Sequence, residues 1–109
     1  MKLSVYQFTF AINESKLIQY MYSLGYTCTK GEAWRTPEMA EIYAKKGIGI
    51  KDSQHCKRLA QDLNLFKDGV FLDSTDAHRI FGRYWKSLNP QNRWGGDWDD
   101  GNHYEMREG

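Results

Sequence analysis

Apolar and polar positions recur with two different periods along this chain, and the switches between them mark its elements. From Ser4 to Leu24, Phe8, Ala11, Ile12, Ser15, Ile18 and Tyr22 return at helical spacing, and Gly25 sits where a left-handed cap belongs. This predicts a first helix, although Val5 to Phe10 also carry strand-like residue types. Tyr26 to Trp34 is rich in Thr, Cys and aromatic residues with a break at Gly31, and reads as a short strand. Thr36-Pro37-Glu38 supplies an N-cap, a first-turn proline and a first-turn acid, while Lys45-Lys46-Gly47 supplies a basic last turn and a stop. A second helix is therefore expected over Pro37–Lys46, followed by a Gly47-Ile48-Gly49-Ile50 loop.

Beyond that loop the period becomes two. Leu59, Leu63 and Leu65 share a parity with Gln61, and Ala60, Asp62 and Asn64 take the other, so a strand here sets its leucines on the core and turns Asp62 away from them. Lys67-Asp68-Gly69 reads as a tight turn into Val70-Phe71-Leu72, closing a hairpin. Ser74 or Thr75 caps a third helix bearing Ile80, Phe81, Tyr84, Trp85 and Leu88, which stops at Asn89-Pro90. Arg93 to Gly101 reads as a Gly- and Asp-rich loop, and His103 to Met106 as a last strand. The expected architecture is α+β: one domain over residues 1–109, with helices packed on a small antiparallel sheet.

Composition narrows the function. With 40% hydrophobic and 15% aromatic residues in 109, the chain can fill one core, which excludes a disordered or collagen-like protein. A net charge of +1 without a polybasic block lacks the footprint of a nucleic-acid binder. Lys2, Ser4, Gln7, Thr9, Asn13 and Glu14 interrupt the apolar N-terminal residues, so neither a signal peptide nor a membrane span is expected. Cys28 and Cys56 match no zinc knuckle or redox pair and read as free thiols, with a bridge between them as the alternative.

Two acid/histidine pairs remain. His55 and Asp62 are seven positions apart, about 10.5 Å along a helix and further along a strand, so they share one ion only if the chain bends at Cys56-Lys57-Arg58. In Asp100-Gly101-Asn102-His103-Tyr104-Glu105 an acid precedes a histidine by three positions across a glycine, and His103 and Glu105 share a strand face. Together the pairs supply two imidazoles and a carboxylate as ligands, with another carboxylate as base, which a hydrolytic zinc site requires.

Plainer roles exist for each residue. His55 and His103 taken singly read as ordinary histidines; Asp62 pairs with an arginine; Asp100 joins Asp97 and Asp99 in a solvated or calcium-binding loop; Arg35 pairs with Glu32 or Glu38. Glu105 reads as a residue that orients a ligand or pairs structurally, and His78, between Asp76 and Arg79, as solvated. The four tryptophans read as core or cleft-wall residues, with Trp94 and Trp98 able to line a groove. A cysteine peptidase is disfavoured, because adjacent residues on an extended chain point apart and Cys56 cannot use His55 as its base.

Ser53-Gln54-His55 with Asp62-Leu63, and Asp100 three before His103, resemble the zinc metallopeptidases that include D-Ala-D-Ala carboxypeptidases and dipeptidases and the phage L-alanyl-D-glutamate endopeptidases. The likeness extends through Gly31-Glu32-Ala33-Trp34-Arg35-Thr36-Pro37, Trp94-Gly95-Gly96-Asp97 and Gly101-Asn102-His103, about residues 25 to 107. It implies a Hedgehog/DD-peptidase-like α+β fold, Zn2+ held by His55, Asp62 and His103, Asp100 as general base and Arg35 stabilising the oxyanion. Two departures stand out. Arg58 occupies the place where the commoner pattern has glycine, and Asp100 stands where many members use glutamate. The implied substrate is the peptide part of bacterial peptidoglycan, cut at L-Ala-D-Glu or, alternatively, at D-Ala-D-Ala. With no export signal expected, the resemblance suggests a monomeric phage or prophage endolysin that starts in the host cytoplasm and meets the wall after the membrane is opened. A zinc-stabilised wall-binding or phage structural module without turnover is the non-enzymatic alternative.

Overall fold

The computed structural model describes residues 1–49 and 53–109; the end of the expected Gly47–Ile50 loop lies outside them. Helix α1 spans Leu3–Ser23, strand β1 Tyr26–Lys30 and helix α2 Pro37–Lys45. Strand β2 spans Ala60–Lys67, β3 Val70–Leu72, helix α3 Arg79–Leu88, and strands β4 and β5 Asn92–Trp94 and His103–Met106. The architecture is α+β, with every strand pair antiparallel. Strand β2 is the hub: β1, β3 and β5 all pair with it, and β4 pairs with β5.

Local chemistry explains the boundaries. The Thr36 hydroxyl accepts from the Met39 N–H at 3.0 Å with Pro37 in the first turn, so α2 begins where the capping pattern sets it. Asp68 (φ 51°) and Gly69 (φ 78°) both adopt the left-handed conformation that a two-residue hairpin turn requires. The Ser74 hydroxyl accepts from the Ala77 N–H at 3.1 Å, tying down the entry to a 3-10 turn, Asp76–His78, that leads into α3.

Helices α1 and α3 cover the core face of the sheet. Phe10, Leu17 and Met21 of α1 meet Phe81 and Trp85 of α3 over Leu63, Leu65, Tyr104 and Met106. The side of α1 that faces inward differs from the helical stripe that the sequence suggests: Phe8 is 65% exposed and Ile12 and Tyr22 are also exposed. Trp85 clamps the layers, its indole N–H donating to the carbonyls of Arg93 and Glu105 at 2.9 Å each.

Two expectations need correction. The Arg93–Gly101 segment is not a plain loop, because Asn92–Trp94 adds an edge strand to β5 and Gly95–Trp98 forms a 3-10 turn. His78 is not solvated. It is 1% exposed beneath the sheet and hydrogen-bonded through Nδ1 to the Tyr104 hydroxyl at 2.8 Å. Burial without a carboxylate partner penalises its charged form and lowers its pKa to about 4.

Candidate metal centre

The antiparallel register of β2 and β5 sets Asp62 directly opposite His103 and Ala60 opposite Glu105. Opposed residues share a face, so Asp62, His103 and Glu105 all stand on the side away from the leucines. His55 reaches that face from a 3-10 turn, Gln54–Lys57, capped by the Ser53 hydroxyl, which accepts from the His55 N–H at 3.1 Å. The turn ends at Arg58 in the left-handed conformation (φ 56°, ψ 34°). This is the bend that brings His55 to Asp62, and the guanidinium of Arg58 lies 5.0 Å from the centroid of the Trp34 ring.

The imidazole orientations follow from their outer partners. A carbonyl can only accept, so the contact of His55 Nδ1 with the Ala33 carbonyl at 3.0 Å puts the proton on Nδ1 and leaves Nε2 facing Asp62 Oδ1 at 3.3 Å. His103 is held the other way round, with Nε2 on Glu105 Oε1 at 2.7 Å and Nδ1 on Asp62 Oδ1 at 3.2 Å. Ligand atoms of His55, Asp62 and His103 all lie within 4.8 Å of one another. Two imidazole nitrogens and a carboxylate oxygen, with the remaining ring nitrogens fixed by a carbonyl and a carboxylate, can hold a metal ion, and the donor set suits zinc.

The charges of these side chains are matched among themselves. Burial works against the charged form of His103, but Asp62 and Glu105 outweigh it and raise its pKa to about 9. Burial likewise pushes Asp62 up, and its contacts with His103 and His55 override that, holding its carboxyl at about 2. Glu105 is also held below its ordinary value, the lift from burial being outweighed by His103 and Arg107.

The triad lines a cavity of about 750 Å³ that Arg35, Trp98, Asp100 and Arg107 also line. The backbone of Asp100 is fixed at both ends: its N–H donates to the Gly95 carbonyl at 2.8 Å and its carbonyl accepts from the His103 N–H at 3.1 Å. A Cβ on Gly95 would sit 2.1 Å from the Asp100 carbonyl oxygen, so only glycine permits this approach. The Trp94 indole anchors the same turn by donating to the Gly101 carbonyl at 2.8 Å, which makes Trp94 a buried support, while half-exposed Trp98 is the groove residue. Desolvation raises the pKa of the Asp100 carboxyl, with Asp62 adding to the rise and His103, His55 and Arg35 opposing it.

Arg35 lines the cavity with its guanidinium bound to Glu32 Oε1, through Nε at 2.8 Å and also through Nη2, and stacked 4.9 Å from the Tyr43 ring centroid. Glu32 is a residue that sequence reasoning used only as a pairing partner; its Oε1 also lies 3.7 Å from His55 Nε2. Both cysteines are free thiols, and the Cys56 thiol is directed at the Thr36 carbonyl. Arg107 was missed. The alternation His103, Glu105, Arg107 carries the signal that finds it.

This arrangement defines an α+β fold with a His/Asp/His group, able to hold a metal ion, on the outer face of a small antiparallel sheet. The fold is similar to that of the crystal structure of the Serratia marcescens L-Ala D-Glu endopeptidase ChiX, with a TM-score of 0.63 and 19% sequence identity over 74% of this chain and 67% of that one. No protein-family model matches the sequence, and no curated protein matches it significantly. No helix among the described residues is long and apolar enough to cross a membrane.

Proposed function

We propose that this chain is a zinc-dependent peptidase acting on the peptide part of bacterial peptidoglycan, cutting L-Ala-D-Glu as a phage or prophage endolysin of the metallopeptidase family it resembles. The observation that carries this reading is the convergence of His55 Nε2, Asp62 Oδ1 and His103 Nδ1 on one cavity wall beside Asp100. The choice of substrate draws on the likeness in fold to an L-Ala D-Glu endopeptidase.

Zinc held by His55, Asp62 and His103 would acidify a water and polarise the scissile carbonyl. Asp100 takes the proton of the attacking water and returns it to the leaving nitrogen. Burial raises its pKa above that of an ordinary carboxyl, the direction that makes it a better proton acceptor. Arg35 donates to the oxygen that becomes negative, and Glu32 fixes the plane of that guanidinium beforehand. Glu105 keeps the His103 ring turned so that Nδ1 faces inward.

Mass spectrometry of fragments released from purified peptidoglycan, with zinc and with a chelator, tests this. New termini between L-Ala and D-Glu that vanish with chelation are expected. Release of free D-Ala would instead identify a carboxypeptidase, and no release from any wall fragment by zinc-loaded protein would reject the enzyme.

A further inference from the structure

The cavity contains two guanidinium groups in opposite states of engagement. Arg35 is closed in: its side chain is 13% exposed, and Glu32 and Tyr43 occupy its edge and face. Arg107 is open, with a side chain 55% exposed. It donates only Nε, to Glu105 Oε2 at 2.7 Å, and among the described residues nothing accepts from its two Nη atoms. Its Cζ lies 5.8 Å from the centroid of the Trp98 ring, so an indole wall stands beside the free fork. The mount is rigid. The backbone N–H of Arg107 donates to the Gln91 carbonyl at 2.9 Å, and Glu105, which holds Nε, is itself buried against His103.

A guanidinium fixed through Nε, with its Nη atoms uncommitted and a flat apolar wall beside it, matches a planar carboxylate. We propose that Arg107 receives a free carboxylate of the substrate peptide, with Trp98 packing against the adjoining carbon chain, and so selects acidic peptides over their carboxamides. The inference rests on the peptidase reading and deepens it. A D-Glu residue brings two carboxyl groups, chain continuation uses one of them, and the other stays anionic unless it is amidated. Arg35 has two of its nitrogens bound to Glu32 and is assigned to the oxyanion, which leaves Arg107 as the cavity cation with both Nη atoms uncommitted.

The test compares a synthetic stem peptide containing L-Ala-D-Glu with its counterpart in which the free D-Glu carboxyl is a carboxamide. For the wild-type zinc protein the carboxamide should have a KM roughly 10- to 100-fold higher, the range expected for one charge-assisted hydrogen-bonded contact. In Arg107→Gln that ratio should collapse toward 1, with kcat changing less than KM and zinc content holding, and Arg107→Lys should restore part of the ratio. Equal KM values for the two peptides in the wild type would overturn the proposal. So would a variant that loses zinc or kcat while keeping the ratio, since Arg107 would then act through Glu105 on His103. A second readout needs no turnover: the Trp98 indole N–H signal in a 1H–15N spectrum should shift on titration with the acidic peptide and not with the carboxamide. A wild type that binds in this way and cleaves neither peptide would sink the hydrolase while leaving the carboxylate receptor standing. Cleavage of both peptides with equal KM would do the reverse.

Discussion

His103 and Tyr104 are neighbours on β5, and the two sides of that strand treat a buried histidine in opposite ways. On the outer side His103 meets Asp62 and Glu105, and its pKa rises to about 9. On the inner side His78 meets the Tyr104 hydroxyl among apolar side chains, and its pKa falls to about 4. Burial is nearly the same for both residues, 7% and 1% exposed. The carboxylates decide the sign. The outer face therefore gathers positive charge, which a metal cation could supply in place of the proton, whereas the inner face keeps His78 neutral.

The largest effects should come from breaking the outer face. On the proposed reading, His103→Ala abolishes hydrolysis and lowers zinc affinity by more than about 100-fold, since loss of even an outer hydrogen bond to a ligand costs roughly 10- to 100-fold. Metal analysis of the dialysed variant checks this, and full zinc occupancy would remove His103 from the ligand set. Asp100→Ala should keep zinc and the fold but lose a factor of about 10² to 10⁴ in kcat, the usual contribution of a positioned acid-base group. Turnover at the wild-type rate would free Asp100 from the mechanism.

Stability against pH then sharpens the contrast between the two histidines in chelator-treated protein. His78 binds a proton less readily folded (about 4) than at its ordinary value of 6.5, so its contribution is whole above about pH 6.5 and drains away as pH falls through 4. His103 binds a proton more readily folded (about 9), so its contribution is whole below about pH 6.5 and is lost as pH rises through 9. Each swing is on the order of 3 kcal/mol. Urea denaturation of wild type against His78→Gln and His103→Gln should give difference curves of opposite slope. Curves of the same sign would break the comparison.

The elements were legible because their signals are local: the Thr36-Pro37 cap, the Asp68-Gly69 turn and the leucine alternation of β2 each act within a few residues. Which face of α1 is buried was not. Apolar residues lie on both sides of that helix, and Asn13 sits within the buried stripe, so periodicity cannot separate the faces. Strand β4 was hidden because Asn92–Trp94 gains its pairing from distant β5 rather than from its own residue types. His78 was misread because its sequence neighbours Asp76 and Arg79 pair with each other at the surface while the imidazole turns inward. At the site, strand parity alone puts His103 and Glu105 together. The arrival of His55 depends on a bend that spacing cannot reveal, and family resemblance supplied it.

That bend provides the smallest and most local test of how the outer face is assembled. Arg58 holds a left-handed backbone (φ 56°), where a side chain with a Cβ costs about 1–2 kcal/mol relative to the right-handed conformation. Arg58→Gly relieves this strain. It also loses the stacking of the guanidinium on Trp34, worth about 0.5–1 kcal/mol at an exposed position, and adds backbone freedom to the unfolded chain. The opposing contributions leave a net change within about 1 kcal/mol, and zinc content should stay at the wild-type level, because the His55 backbone is held by Ser53 and its ring by the Ala33 carbonyl rather than by Arg58. Arg58→Val should be clearly worse than glycine on urea denaturation, since a β-branched residue is the least suited to positive φ. If valine is tolerated as well as glycine, the left-handed turn is not what brings His55 to Asp62, and the outer face must owe its assembly to the β2–β5 register alone.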